Sequence, residues 1–152
     1  MKYIAMYLAT LMFAFGAQAQ SVKNQKARAD VDTAATQAAD EIKDCGKKIA
    51  VTFDWSAYDS LDWAKLNKKK EEHYGAERSN LAALGKSVNA VCADKMYKTA
   101  FGKISAITYR ATNNDKTHVV AKIDGGNLIL ENYTFGSTRR MADYKKAIES
   151  AL

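Results

Sequence analysis

Along most of the chain the spacing of apolar residues is enough to place an element. Val31, Ala34, Ala35, Ala38 and Ile42 recur at three- and four-residue steps, which is one stripe of an amphipathic helix over residues 21–44. Gly46 follows Cys45, where a helix needs a residue tolerant of left-handed backbone to stop, and Lys47 and Lys48 sit at the negative end. Most of the stripe is alanine, so this helix can approach a neighbour closely but buries little area, and its first turns around residues 23–28 are expected to be loosely held.

Residues 48–53 (KIAVTF) alternate, with Ile49, Val51 and Phe53 on one face and Lys48, Ala50 and Thr52 on the other, the pattern of a half-buried strand. The dipeptide Asp-Trp then occurs twice, at Asp54-Trp55 and Asp62-Trp63. The stretch between reads as a loop or irregular turn, with Asp59, Ser60 or Asp62 available to cap a solvated helix over residues 61–74. Gly75 is expected to break that helix. Ser79 or Asn80 can cap the next, whose stripe is Leu81, Leu84, Val88, Val91 and Cys92, and which continues or restarts until Gly102.

From Lys103 the period changes from helical to alternating. Residues 104–110, 117–123 and 128–135 read as three strands, separated by Thr112-Asn113-Asn114-Asp115 and Asp124-Gly125-Gly126-Asn127, both of turn composition. An antiparallel meander is the natural consequence. Gly136 ends it, Ser137 or Thr138 caps a last helix, and Met141, Tyr144, Ile148 and Leu152 form that helix's stripe. The expected fold is α+β: an antiparallel sheet, made of the C-terminal three-stranded meander and the strand at residues 48–53, with helices packed on one face. Apart from the Asp-Trp pair there is no repeat, and the chain contains no proline. One domain over residues 20–152 follows, close to the common size of about 100–150 residues.

Residues 1–19 stand outside this pattern. Lys2 precedes a near-continuous apolar run from Ile4 to Phe15, and Ala17-Gln18-Ala19 offers small residues at the spacing of a signal-peptidase site. The run is shorter than the roughly 20 residues a membrane span needs, so the expectation is a cleaved signal peptide and a periplasmic or secreted product that does not span the membrane. Cys45 and Cys92 are the chain's two cysteines, and in an oxidising compartment they are expected to pair. A loop of that length contributes about 4 kcal/mol on the chain-entropy model. Lys2 is the only charge in the leader, so its removal lowers the formal net charge of +6 by one. A modest, interspersed surplus of this kind does not mark a nucleic-acid footprint.

No catalytic, cofactor or metal motif stands out. Gly85-Lys86-Ser87 ends like a phosphate-binding loop, but position 80 is Asn80 where the first glycine is required, and the segment lies inside an expected helix. His73 and His118 are far apart and have no metal-ligand spacing. Asn132-Tyr133-Thr134 matches a glycosylation acceptor but falls in an expected strand. Arg139 and Arg140 read as exposed first-turn cations. The segment with the most chemical content is the loop, where Asp54, Asp59 and Asp62 alternate with Trp55, Tyr58 and Trp63. Carboxylates beside aromatics suit a glycan-cleaving cleft; aromatics of this kind also anchor interfaces; and the plain structural alternative is aspartates as caps and tryptophans as core. The reading favoured is a non-enzymatic binding protein, of inhibitor or immunity type, with a protein or envelope-glycan partner and these six residues as its candidate surface. A small envelope hydrolase and a small-ligand carrier are the alternatives. Mass spectrometry of the exported product is expected to begin at Gln20 and to fall two hydrogens below the mass of the reduced chain; two free thiols, or retention of Met1, would refute this.

Overall fold

The computed structural model describes the backbone of residues 2–64, 69–114, 118–134 and 139–152, with side chains from residue 22 onward. The elements run α1 (Lys2–Glu41), β1 (Ala50–Phe53), α2 (Trp55–Asp59), a 3-10 turn (Lys70–His73), α3 (Tyr74–Cys92), α4 (Lys95–Phe101), β2 (Ala106–Thr112), β3 (Val119–Asp124), β4 (Asn127–Tyr133) and α5 (Met141–Ala151). The backbone of α1 is continuous through the expected cleavage junction. Among the described residues, no helix is long and apolar enough to cross a membrane.

The helix stripes pack largely as their spacing requires. Val31, Ala34, Ala35, Ala38 and Ile42 of α1 are buried, as are Leu81, Leu84, Val88, Val91 and Cys92 of α3, and Tyr144 and Ile148 of α5. Met141 departs from its stripe and is exposed. α1 packs on α3 and β1, α3 on α5, and α5 on β3, so these helices form one layer over one face of the sheet. The alanine stripe has the expected consequence for spacing. A Cβ added to Gly85 would lie 2.7 Å from the carbonyl oxygen and 2.8 Å from the Cα of Ala38, so α3 meets α1 backbone to backbone. Just beyond this crossing the Cys45–Cys92 disulfide joins the turn after α1 to the last residue of α3. Asn89 Oδ1 accepts from the backbone N–H groups of both Lys43 and Asp44, each at 2.8 Å. α1 therefore stops at Glu41, before Cys45, and Gly46 takes its positive φ of 77° in the turn that follows.

The sheet is mixed, in the order β1-β2-β4-β3. β1 is parallel to β2, β2 is parallel to β4, and only β3 and β4 are antiparallel. The expected meander is thus corrected to one hairpin whose second strand inserts beside β2. Gly125 and Gly126, with φ of 54° and 82°, make the two-residue turn that fixes the hairpin. β4 carries three successive apolar residues, Leu128, Ile129 and Leu130, all buried, which suits a central strand flanked on both sides. β3 carries Lys122 and Asp124 and goes to the edge. Of the helix expected over residues 61–74, residues 65–68 lie outside the described set; among the described residues, 61–64 form turns and bends and the 3-10 turn at 70–73 leads straight into α3. Gly75 sits inside the first turn of α3 and does not interrupt it. The expected caps Ser137 and Thr138 lie outside the described residues.

On the face away from the helices, a row of charges crosses the sheet from the end of β1: Asp54 to Arg110 at 2.9 Å, Arg110 to Glu131 at 3.7 Å, and Glu131 to Lys122 at 2.8 Å. Exposed pairs of this kind stabilise little, but Arg110 fixes where the chain leaves β1. Gly85→Ala is expected to lower unfolding stability by about 1–3 kcal/mol, because the contacted atoms are backbone and cannot swing aside. Urea denaturation tests this, and a variant as stable as the wild type would show that the helices can separate freely.

Candidate functional site

Residues 54–63 begin where β1 ends, and their aspartates are spent on holding the chain. Asp54 Oδ1 accepts from the Ala57 N–H at 2.9 Å, capping α2, and Asp54 Oδ2 accepts from Arg110 Nε at 2.9 Å. Burial raises the Asp54 carboxyl, but these donors outweigh it and leave it below the usual carboxylate range. Asp59 joins three elements, accepting from Arg28 of α1 at 2.9 Å and from Lys70 of the 3-10 turn at 3.0 Å. Burial raises its carboxyl too, and the two cations bring it below the ordinary value. Asp62 is exposed.

The aromatic residues form one cluster. Tyr58 is fully buried, and its hydroxyl donates to the Lys70 carbonyl at 2.7 Å. Trp55 and Trp63 flank it at ring separations of 5.7 and 4.8 Å, and both are half-buried. Trp55 also packs on Phe53 at 4.5 Å, donates its indole N–H to Asp32 at 2.7 Å, and carries the Arg28 guanidinium 4.0 Å above its ring. The Trp63 indole N–H donates to the Tyr58 carbonyl at 3.0 Å. Both rings are locked with part of their surface in solvent. Arg28 lies on the continuation of the α1 stripe, three residues before Val31, and its contacts with Asp59 and Trp55 tie down the last of residues 23–28, while Lys23, Gln25 and Lys26 are exposed.

A second polar constellation lies wholly inside the fold. The Glu77 side chain is fully buried, its Oε2 accepting from the Tyr109 hydroxyl at 2.5 Å and from Asn80 Nδ2 at 3.5 Å. Asn132 Oδ1 accepts from Arg139 Nε at 3.2 Å and from the Tyr144 hydroxyl at 3.4 Å. Arg139 is buried, which corrects its expected exposure; its backbone N–H donates to Asn80 Oδ1 at 2.8 Å and its Nη2 to the Tyr133 carbonyl at 3.1 Å. No ion pair joins Arg139 to Glu77 among the described residues. Glu77 Oε1 and Thr134 Oγ1 are left without a hydrogen-bond partner among those residues, although the hydroxyl lies near enough to favour the carboxylate. Burial dominates and pushes the Glu77 carboxyl above its ordinary value, against the opposing pull of Tyr109, Asn80, Thr134 and Arg139. Protonation gives Glu77 a donor that the ionised form lacks. The two tyrosine hydroxyls are raised chiefly by burial.

These residues had a signal in the sequence. Glu77 and Asn80 continue the α3 stripe one turn toward its N-terminus, and Tyr109 and Asn132 fall on the inward phase of β2 and β4. Polar groups at core spacing announce a buried network. Asn132 is fully buried, in keeping with the rejection of the glycosylation pattern. Ser87 is buried with its hydroxyl 2.7 Å from the Met141 carbonyl, so Gly85-Lys86-Ser87 serves helix packing. His73 lies beside Trp63, the rings tilted at 45° with centroids 5.5 Å apart, and His118 is exposed. Among the described residues no group of three or more His, Cys, Asp or Glu could hold a metal ion. Comparisons with protein-family models, with curated proteins and with solved structures return no match.

A carboxyl raised by the fold favours the folded state fully below its unfolded value, and that stabilisation is lost as pH rises through the folded value. Asp54 and Asp59 act in the opposite sense, stabilising above the ordinary carboxylate range and losing their contribution as pH falls. Glu77→Gln keeps an acceptor for Tyr109 and adds a donor, so it is expected to melt above the wild type at about pH 8 and to lose that advantage at about pH 4. Melting curves across this range check it; a constant difference would mean that Glu77 does not titrate with unfolding.

Proposed function

We propose that the mature chain is a non-enzymatic binding protein of the periplasm or secreted space, of inhibitor or immunity type, that holds a macromolecular partner on the surface around Trp55 and Trp63. The observation that carries this reading is that both indole rings are fixed by internal hydrogen bonds while part of each stays in solvent. Such a surface loses little side-chain entropy on contact, which is what makes tryptophan an effective interface anchor. Arg28, stacked on Trp55, belongs to the same surface and adds a cation held in place by Asp59.

The hydrolase alternative needs one carboxyl of a pair raised so that it can act as an acid at neutral pH. Asp54 and Asp59 are held down instead, each with its oxygens committed to cations or backbone. A carrier would need an enclosed apolar cavity. The groove between α1 and α3, about 800 Å³ and lined by Asp30, Asp40, Glu41, Arg78 and Lys86 among others, is open and charged. The disulfide is compatible with an extracytoplasmic site of action.

Truncating either tryptophan would confound binding with stability, since half-burying such a ring is worth about 1–2 kcal/mol. The test therefore alters the rim. Ser56 and Ala64 are exposed, and Ser56→Arg with Ala64→Arg is expected to leave the melting temperature unchanged while abolishing capture of the partner that the wild-type chain retains from an envelope fraction. Equal capture by both proteins would move the binding surface elsewhere, and release of soluble fragments from purified envelope glycan by the wild-type chain would favour the hydrolase.

A further inference from the structure

Among the described residues, β3 is a sheet edge with half of its backbone unused. Its pairing with β4 closes at Asp124 and Asn127 across a two-residue turn, and the His118 carbonyl accepts from the Tyr133 N–H at 3.1 Å at the other end. In an antiparallel ladder alternate residues direct both backbone groups to the same neighbour. Residues 118, 120, 122 and 124 therefore face β4, and Val119, Ala121 and Ile123 turn their N–H and C=O groups outward. Sheet edges are commonly blunted by proline, bulges or charges. β3 has no proline, its register is unbroken from Val119 to Asp124, and Lys122 is engaged with Glu131.

A groove of about 510 Å³ runs along this edge. One wall is the four consecutive residues His118, Val119, Val120 and Ala121, and the other is Asp143, Lys146, Ala147 and Ser150 of α5. Successive strand residues point their side chains to opposite faces, so all four can line one groove only where the backbone edge itself faces it. The α5 residues fall at i, i+3, i+4 and i+7, one stripe of the helix.

The geometry points to strand addition: an extended peptide from a partner protein lies along β3 as a further strand, with alternate side chains seated against α5. Only an extended backbone offers donors and acceptors at the spacing that Val119, Ala121 and Ile123 present. Ala121, Ala147 and Ser150 leave room for medium-sized apolar side chains. Asp143 is already committed to the Arg140 N–H at 2.9 Å, whereas Lys146 is exposed and forms no ion pair among the described residues. The peptide that fits thus alternates apolar residues and places an acidic side chain opposite Lys146. A second copy of the chain is less well matched, because pairing two β3 edges would bring two α5 helices together, each with its own exposed Lys146. The sheet order puts this edge opposite β1 and the tryptophan surface, so the two sites can be tested separately.

A displayed library of random nine-residue peptides, selected in parallel against the chain and against Ala147→Trp, tests the proposal. Peptides with alternating apolar residues and an Asp or Glu are expected to be enriched on the chain alone. Synthesised, they should slow amide exchange at Val119, Ala121 and Ile123 by about tenfold or more, bind about tenfold more weakly to Lys146→Glu, and lose binding when alternate peptide amides are N-methylated. Lys146 is exposed, so its variant retains the fold should Ala147→Trp disturb α5. No enriched peptide, equal enrichment on the folded Ala147→Trp chain, or unchanged exchange at the three amides with enriched peptide bound would each overturn it. So would concentration-dependent protection of these amides without peptide, accompanied by a dimer in sedimentation, since the edge would then belong to a second copy.

Discussion

The contact between α1 and α3 at Ala38 and Gly85 is the constraint on which the helix layer rests. Two helices meeting backbone to backbone leave no room for adjustment by side-chain rotation, so a closer approach is closed to them. The disulfide and the paired acceptance by Asn89 hold the same two helices at their C-terminal ends. From this fixed pair follow the placement of β1, which leaves α1 by a short connection, and that of Arg28, which extends from α1 to meet Asp59 and Trp55. A sequence whose first helix is mostly alanine gains little from buried area there. It gains instead a close approach that brings Arg28 and Asp32 of the helix against the segment after β1.

The buried constellation around Glu77 runs against the usual economy of a core. Taking a carboxyl fully out of water disfavours its ionised form, and a partner at ion-pairing distance would ordinarily compensate. Here Arg139 bonds to Asn132, Tyr133 and Asn80 instead, and the carboxyl is left to tyrosine and amide donors. The network joins α3, β2, β4 and the entry to α5 through directional bonds, so it fixes the register of elements whose apolar contacts alone would allow sliding. Partly satisfied networks of this kind destabilise unless each member finds its partner, and at Glu77 burial favours the neutral acid while the nearby Thr134 hydroxyl pulls toward the carboxylate.

The surfaces available to a partner are what remains after these internal commitments. In residues 54–63, Asp54 and Asp59 are engaged by cations and backbone, and Tyr58 is core, which leaves partial faces of Trp55 and Trp63 and the guanidinium above one of them. At the other side of the sheet, β3 keeps backbone groups that no neighbour among the described residues uses. One surface recognises by side-chain shape and the other by main-chain hydrogen bonds, and the sheet separates them.

What the sequence by itself determined was local: the stripes of α1 and α3, the strand after Gly46, the Gly125-Gly126 turn and the pairing of the two cysteines, because each depends on residue spacing or on a single residue's backbone freedom. The Asp-Trp segment could be singled out, but not the roles of its members, since caps, core and surface use the same residue types. Strand order lay beyond it. A turn signal specifies which strands are joined, whereas insertion of β4 between β2 and β3 depends on which strand gains most from a neighbour on each side beneath the helix layer, a comparison made only when all four compete for that layer. Likewise the helix expected to begin at residue 61 gives way, at residues 61–64, to a turn in which the Trp63 indole bonds to the Tyr58 carbonyl, and Arg139 became a buried residue only because Asn80, Asn132 and the Tyr133 carbonyl, brought together from α3 and β4, offered it acceptors in place of water.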